Sequence, residues 1–99
     1  MLKSGVFAMI TAFILLTVRP GSVGPLAERL LDVPGVTEVY SVAGPFDLIA
    51  VARVKRHADL ASLVTVHVAN LEGVVRTDTS IAFRAFSRRD LDAMWDIGD

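Results

Sequence analysis

The hydrophobic positions of the chain fall into six segments separated by turn-forming residues. Four segments are short and rich in β-branched residues, and they predict strands at residues 10–18, 36–42, 48–54 and 74–86. The other two repeat at helical spacing, one between Ser22 and Pro34 and one that begins at His57 or Asp59 and continues to Leu71. The predicted order is therefore strand, helix, strand, strand, helix, strand.

The two predicted helices differ in how well their composition suits them. Ser22 is expected to cap the first, whose Pro25 is tolerated in the first turn, and Pro34 with the following Gly35 ends it. The second contains many β-branched residues, which lower helix propensity. Its prediction therefore rests on the helical spacing of its apolar residues. The stripe expected to face the core of the second helix is Leu60, Leu63, Val64, His67, Val68 and Leu71.

The first strand has an alternative interpretation. Lys3 and the apolar run at residues 5–18 are similar to the start of a secretory signal peptide. The run is shorter than the roughly 20 residues that span a bilayer. It also ends in Arg19 and Pro20 without a small-residue cleavage site. We therefore prefer a buried strand at residues 10–18, with residues 1–8 as an N-terminal extension.

An internal repeat supports a symmetrical fold. The sequence VPGV at residues 33–36 matches LEGV at residues 71–74, at an offset of 38 residues. Two strand–helix–strand halves form a ferredoxin-like βαββαβ unit, an α+β fold with a four-stranded antiparallel sheet and two helices on one face. The first and third strands are apolar on both sides, which is typical of central strands, whereas the second and fourth carry most of the charges of edge strands.

The predicted sheet has more apolar surface than two helices can cover. Each large apolar side chain left uncovered costs about 1.5 to 3 kcal/mol relative to its burial. A second copy of the chain is the natural cover. The sequence therefore predicts a dimer that packs sheet against sheet.

The composition of the chain excludes several classes of function. The chain has 99 residues, enough for one domain, and 10 Lys plus Arg against 11 Asp plus Glu, a net charge of -1. General attraction to nucleic acid or to an anionic membrane is therefore not expected. The absence of cysteine excludes thiolate chemistry and suits a cytoplasmic location.

The two histidines do not predict a metal site. His57 and His67 stand ten residues apart around the second helix, a spacing that does not direct both to one ion. We expect a capping or surface position for His57 and a boundary position for His67. The sequence predicts neither a metal nor a cofactor.

Three stretches resemble a known family. They are LLDVPGV at residues 30–36, VYSVAGPFDL at residues 39–48 and TDTSIAF at residues 77–83. In this order they look like the ligand-binding domain of the Lrp/AsnC transcription regulators, also called the RAM domain. The resemblance covers residues 9–87, with residues 88–99 as a C-terminal tail in which Leu91, Met94 and Trp95 are expected to pack one helical turn onto the body.

The resemblance implies a regulatory module. Domains of this family are ferredoxin-like dimers that assemble further, commonly into octamers, and bind amino-acid effectors between dimers. The usual members carry an N-terminal helix-turn-helix domain, for which this chain has no room, so it resembles the stand-alone members. The expected partners are an amino acid, further copies of the chain and full-length regulators of the family, without direct contact to DNA or to a membrane.

The resemblance also implies an effector site. The Gly-x-x-Asp turn of the family matches Gly44, Pro45, Phe46 and Asp47, where glycine permits close backbone approach and the carboxylate can pair with an ammonium group. Pro45 and Phe46 occupy variable positions, so the effector is not identified. The alternative is an ordinary hairpin turn in which Asp47 bonds its own backbone.

The last strand supplies the remaining candidates. Thr77, Thr79 and Ser80 match the polar strand of the family and could donate hydroxyl groups to an α-carboxylate. Alternatively, they are hydroxyl residues that simply favour an edge strand.

A second class of protein shares this strand order. Small dimeric α+β barrel enzymes, such as monooxygenases, have the same sheet-to-sheet dimer. An enzyme of this type needs ionisable or cofactor-binding groups inside its barrel, whereas the central strands here are mainly Ile, Leu, Val and Ala. We therefore favour a non-enzymatic sensing module.

Overall fold

The computed structural model of the protein describes residues 9–88, which form one antiparallel sheet covered by helices. The strands are β1 (Ile10–Val18), β2 (Val36–Ser41), β3 (Leu48–Val54) and β4 (Val74–Ile81), and the helices are α1 (Val23–Leu31) and α2 (His57–Ser62), the latter continued by a π-helix (Leu63–Val68). The strand order is β2-β3-β1-β4. The predicted ferredoxin-like order, with the first and third strands in the centre, is confirmed.

One face of the two central strands holds the core. Ile14 pairs with Ala50 and Leu16 with Leu48, so that these four side chains share a face and are fully buried. The buried residues that pack against this face from the helical layer are Leu26, Leu30, Leu60, Leu63 and Val68. Both helices therefore cover the same side of the sheet.

The opposite face, which we call the open face, is also apolar at its centre. Phe13 of β1 lies there with 39% of its surface exposed, and Tyr40 of β2 is 51% exposed. Leu15 pairs with Ile49 between them, and both are half-buried. The prediction that the central strands are apolar on both sides is confirmed.

The internal repeat corresponds to one turn used twice. Gly35 and Gly73 each end a helical segment and have φ values of +99° and +100°, which L side chains rarely adopt. Their carbonyl oxygens accept equivalent hydrogen bonds, Gly35 from Arg53 N–H and Gly73 from Arg19 N–H, each at 2.8 Å. The repeated glycine therefore reverses the chain from a helix into an edge strand in both halves.

The fourth strand is shorter than predicted. It ends at Ile81 rather than at residue 86, because Ile81 is paired with Ala12 and β1 begins at Ile10. The last bond of this ladder runs from Ala82 N–H to the Thr11 carbonyl oxygen at 2.9 Å. Beyond Ile81, residues 9–88 offer no strand to pair with, so the apolar pattern alone predicted too long a strand.

The second helix also differs from the predicted pattern. Its π-helical part closes a wider turn, with Ala69 N–H donating to the Val64 carbonyl oxygen at 2.9 Å. Leu63 and Val68, five residues apart, are therefore both buried, whereas His67 is exposed. The sequence predicted a boundary position for His67 on a stripe with α-helical spacing throughout, and the side chain is exposed instead.

The start of α1 corrects a smaller prediction. Ser22 occupies the N-cap position, but its side chain makes no capping hydrogen bond. Its backbone carbonyl accepts from Leu26 N–H at 2.9 Å, and its side chain lies where a Cβ on Gly73 would be 3.0 Å away. Ser22 therefore packs against the second turn of the repeat.

Two further predictions concern the ends of the chain. The N-terminal extension at residues 1–8 and the helical turn with Leu91, Met94 and Trp95 lie outside the described residues. Among residues 9–88, no helix has the length and hydropathy needed to cross a membrane.

We expect Gly35→Ala to destabilise the protein. A Cβ at this position would lie 2.9 Å from Leu63 Cδ1 and 3.1 Å from Val54 Cγ1, and the positive φ adds strain of roughly 1 to 3 kcal/mol. Thermal unfolding should show a fall of about 4 to 8 °C in Tm for each kcal/mol lost.

Gly24→Ala is the matched control. Gly24 lies in α1, and nothing lies within 4 Å of a Cβ placed there. Alanine favours a helix over glycine, so its Tm should stay the same or rise slightly. A Gly35→Ala variant as stable as this control would contradict the role assigned to the turn.

Candidate functional site

The candidate site centres on the loop between β2 and β3. Val42 N–H donates to the Asp47 carbonyl oxygen at 3.1 Å, which closes the loop, and Asp47 N–H donates to the Leu16 carbonyl oxygen at 2.9 Å. The second bond attaches the loop to β1, the neighbouring central strand. The loop is therefore positioned by the sheet rather than by its own turn alone.

The carboxylate of Asp47 is partly engaged. Its Oδ2 accepts a hydrogen bond from Val18 N–H at 2.9 Å, at the end of β1. Within residues 9–88, its other oxygen, Oδ1, has no hydrogen-bond donor. The bond to Val18 is not the local turn bond of the alternative interpretation, because it joins residues 29 positions apart. Asp47 thus holds two segments together and leaves Oδ1 without a donor among residues 9–88.

The other loop residues have different environments. Gly44 has a φ of +136° and nothing within 4 Å of a Cβ placed on it, so this turn needs glycine for its backbone conformation rather than for close approach. Pro45 is exposed and Phe46 is half-buried. The side of the loop at Gly44 and Pro45 is therefore open to another molecule.

The candidates on β4 do not all share a face. Thr77 pairs with Leu16 and Thr79 with Ile14, which puts both hydroxyl residues on the helix side of the sheet. Ser80 pairs with Phe13 on the open face. Thr77 is half-buried, and Thr79 and Ser80 are exposed. Because Leu16, the partner of Thr77, also accepts from Asp47 N–H, Thr77 is the β4 candidate nearest to the loop.

The sheet separates the loop from β4 within one chain. Asp47 and Thr77 flank Leu16 on opposite sides, because β1 lies between β3 and β4. Two strand spacings place their backbones about 10 Å apart. β1, with the fully buried side chain of Leu16, therefore lies between the two sets of candidates within one chain.

The histidines lie apart from this loop. His57 begins α2 and His67 is in the π-helix, and both are exposed. Residues 9–88 contain no cluster of three or more His, Cys, Asp or Glu side chains able to hold a metal ion.

Sequence reasoning missed the contribution of β1 to the site. The Leu16 carbonyl oxygen and the Val18 N–H group both bind Asp47, although their side chains face the core. Backbone groups leave no residue-specific signal in a sequence. Only the register, in which Leu48 pairs with Leu16, shows that Asp47 must lie beside the end of β1.

Comparison with known proteins gives a consistent result. The family model of the Lrp/AsnC ligand binding domain matches residues 11–91. Among curated proteins, the HTH-type transcriptional regulator FL11 of Pyrococcus furiosus is 33% identical over 75 residues, which cover 76% of this chain and 49% of that protein. The chain thus spans about half the length of the curated relatives it matches.

Solved structures show the same fold. TTHA0845 from Thermus thermophilus is 48% identical, with a TM-score of 0.75, over 80% of this chain and 99% of its own. A feast or famine regulatory protein of M. tuberculosis, solved in complex with L-methionine, is 26% identical, with a TM-score of 0.66, over 81% of this chain and 54% of its own. The family match, the named regulators and the strand order agree, and the chain belongs to the Lrp/AsnC ligand-binding domain family.

Proposed function

We propose that the protein is a non-enzymatic module that binds an amino-acid effector at the β2–β3 loop. The observation that carries this proposal is the Asp47 carboxylate, which is held by β1 and keeps Oδ1 available to accept from an ammonium group. A related regulator was solved with L-methionine, which supports an amino acid as the class of effector.

The separation of the two sets of candidates by β1 supports a site completed by a second chain. Within one chain, Asp47 lies on one side of this strand and Thr77 on the other. We infer that Asp47 takes the ammonium group and that hydroxyl groups such as those of Thr77 and Thr79, from another copy, take the carboxylate. Ser80, on the open face, belongs to the dimer contact in this arrangement.

The open face supports assembly into a dimer. Its centre carries Phe13, Leu15, Ile49 and Val51, and its rim carries charged groups, including the Arg76–Asp78 ion pair at 3.4 Å. An apolar centre with a polar rim is typical of protein interfaces. We propose that two copies pack open face to open face and that such dimers assemble further.

We further propose that the module acts in the cytoplasm through full-length regulators of its family. The chain solved from Thermus thermophilus, 48% identical, is matched over 99% of its own length, so that structure has the same extent as this domain. Effector binding would then change how the module associates with regulators that contact DNA.

The first test concerns the dimer. Light scattering at micromolar concentration should give at least twice the chain mass of 10.7 kDa. Phe13→Glu places a charge at the centre of the open face and should convert the protein to a monomer, because an unpaired charge is costly in an apolar interface.

Val66→Glu provides the matched control. Val66 is 54% exposed, compared with 39% for Phe13, but it lies on the helical layer. This variant should keep the mass of the unaltered protein. A monomeric starting protein, or a Phe13→Glu variant that keeps its mass, would contradict the open-face dimer.

The second test concerns the effector. A thermal-shift screen against the amino acids should identify a ligand that raises Tm, and calorimetry should measure its Kd. Asp47→Asn retains an oxygen to accept from Val18 but removes the charge, so the Kd should rise about tenfold or more. Unchanged affinity in Asp47→Asn would leave the carboxylate with a purely structural role.

Asp47→Ala separates the structural role from binding. Without a side-chain oxygen, the Val18 N–H group at this largely buried position loses its acceptor, at a cost of about 1 to 3 kcal/mol. Denaturant unfolding without ligand should therefore show Asp47→Ala to be less stable than Asp47→Asn. Asp32→Asn, which removes an exposed carboxylate after α1, should change neither stability nor effector binding.

A further inference from the structure

A second cleft lies at the other end of β3. Asp47 precedes this strand and Lys55 follows it, so the two ends are separated by eight residues, or about 25 Å of extended chain. The cleft has a volume of about 430 Å³, within the range of small-molecule sites. It lies between the start of β2, the end of β3 and the second helix, and is independent of the candidate effector site.

The floor of the cleft is apolar and tightly packed. Leu63 and Val54 are buried, and a Cβ placed on Gly35 would be 2.9 Å from one and 3.1 Å from the other. Met9 and Pro34 add further apolar surface to the lining. The floor therefore suits the apolar body of a ligand.

The π-helix shapes one wall. Its wide turn buries both Leu63 and Val68, and this places His67 on the exposed side, where it lines the cleft together with Ser62. A π-helical turn is rare and occurs frequently at functional sites. Leu63 and His67, four residues apart, both line the cleft.

More cationic than anionic side chains line the cleft. Asp59 lines the cleft but forms an ion pair with Arg56 at 3.4 Å. Arg53 donates from Nη1 to Thr37 Oγ1 at 2.8 Å. Within the described part of the chain, Lys55 and His67 have neither an ion pair nor a side-chain hydrogen bond. Their donors are therefore available to an anion.

We propose that this cleft binds a small organic anion with an apolar body. The anionic group, a carboxylate or a phosphate, accepts from Lys55 Nζ and from an imidazole N–H of His67, and the hydroxyl group of Ser62 lies on the same side. The apolar body rests on Leu63 and Val54. The proposal does not depend on the effector or the dimer, since it uses different residues.

The test uses isocaproate and isopentyl phosphate, which share a branched apolar body and differ in the anionic group. In amide correlation spectra, each titration should move the signals of Gly35, Lys55 and His67 and leave those of Gly44 and Asp47 in place. The probe with the lower Kd identifies the anionic group. Isocaproamide, which has no charge, should bind about tenfold more weakly than isocaproate, or weaker still.

Variants then assign the contacts. Lys55→Met should weaken binding of the tighter probe about tenfold or more, Lys55→Arg should restore most of it, and His67→Gln should have a smaller effect because glutamine keeps an N–H donor. Arg29→Gln is the matched control, since it removes an exposed cation from α1 and should leave the Kd unchanged.

Four results would overturn the proposal, and the first three concern affinity. These are an absence of saturable shifts with both probes at millimolar concentration, an equal Kd for isocaproamide, and an unchanged Kd in Lys55→Met. Shifts confined to Gly44 and Asp47 would also overturn it, because they would assign the anion to the loop site. Lys55 is exposed, so its variants are expected to fold, and their unfolding curves confirm this directly.

Discussion

The architecture depends on the pairing of two central strands that are apolar on both sides. Seven consecutive pairs join β1 to β3, from Ile10 with Val54 to Leu16 with Leu48. One face of this pair is sealed by the helices, and its core residues are fully buried. The other face keeps Phe13 partly exposed. Because two helices cover only one side, the same pairing that builds the core also leaves an apolar surface on the opposite side of the sheet.

The β1–β3 pairing also fixes the segments that adjoin both ends of β3. At one end, Asp47 is bound to the backbone of Leu16 and Val18, which orients its carboxylate. At the other end, Arg53 N–H is bound to Gly35, which brings the helix-to-strand turn against Val54. At each end of β3, backbone hydrogen bonds therefore fix the neighbouring segment in place, and groups held in place beforehand lose less entropy on binding a ligand.

The internal repeat gives the two halves of the chain the same turn after different helices. Gly35 and Gly73 make the same reversal and accept the same kind of hydrogen bond. The helices that precede them differ, since α1 ends at Leu31, whereas the second helix widens into a π-helix as far as Val68. At the offset of 38 residues, Arg29 of α1 and His67 of the second helix are equivalent, and both are exposed.

The sequence by itself determined the element order, the central strands, the repeated turn and the family, because these depend on local periodicity and on short motifs. It identified the Gly44–Asp47 loop and three hydroxyl residues of β4 as candidates for a site. Three features depended on the tertiary structure. The fourth strand ends at Ile81 because β1 provides no further partner, and His67 is exposed because packing selects a π-helical turn. The carboxylate of Asp47 binds Val18, 29 residues away, through a backbone group that no side-chain pattern records. Such features are set by which segments become neighbours, and that is decided only when the whole sheet has formed.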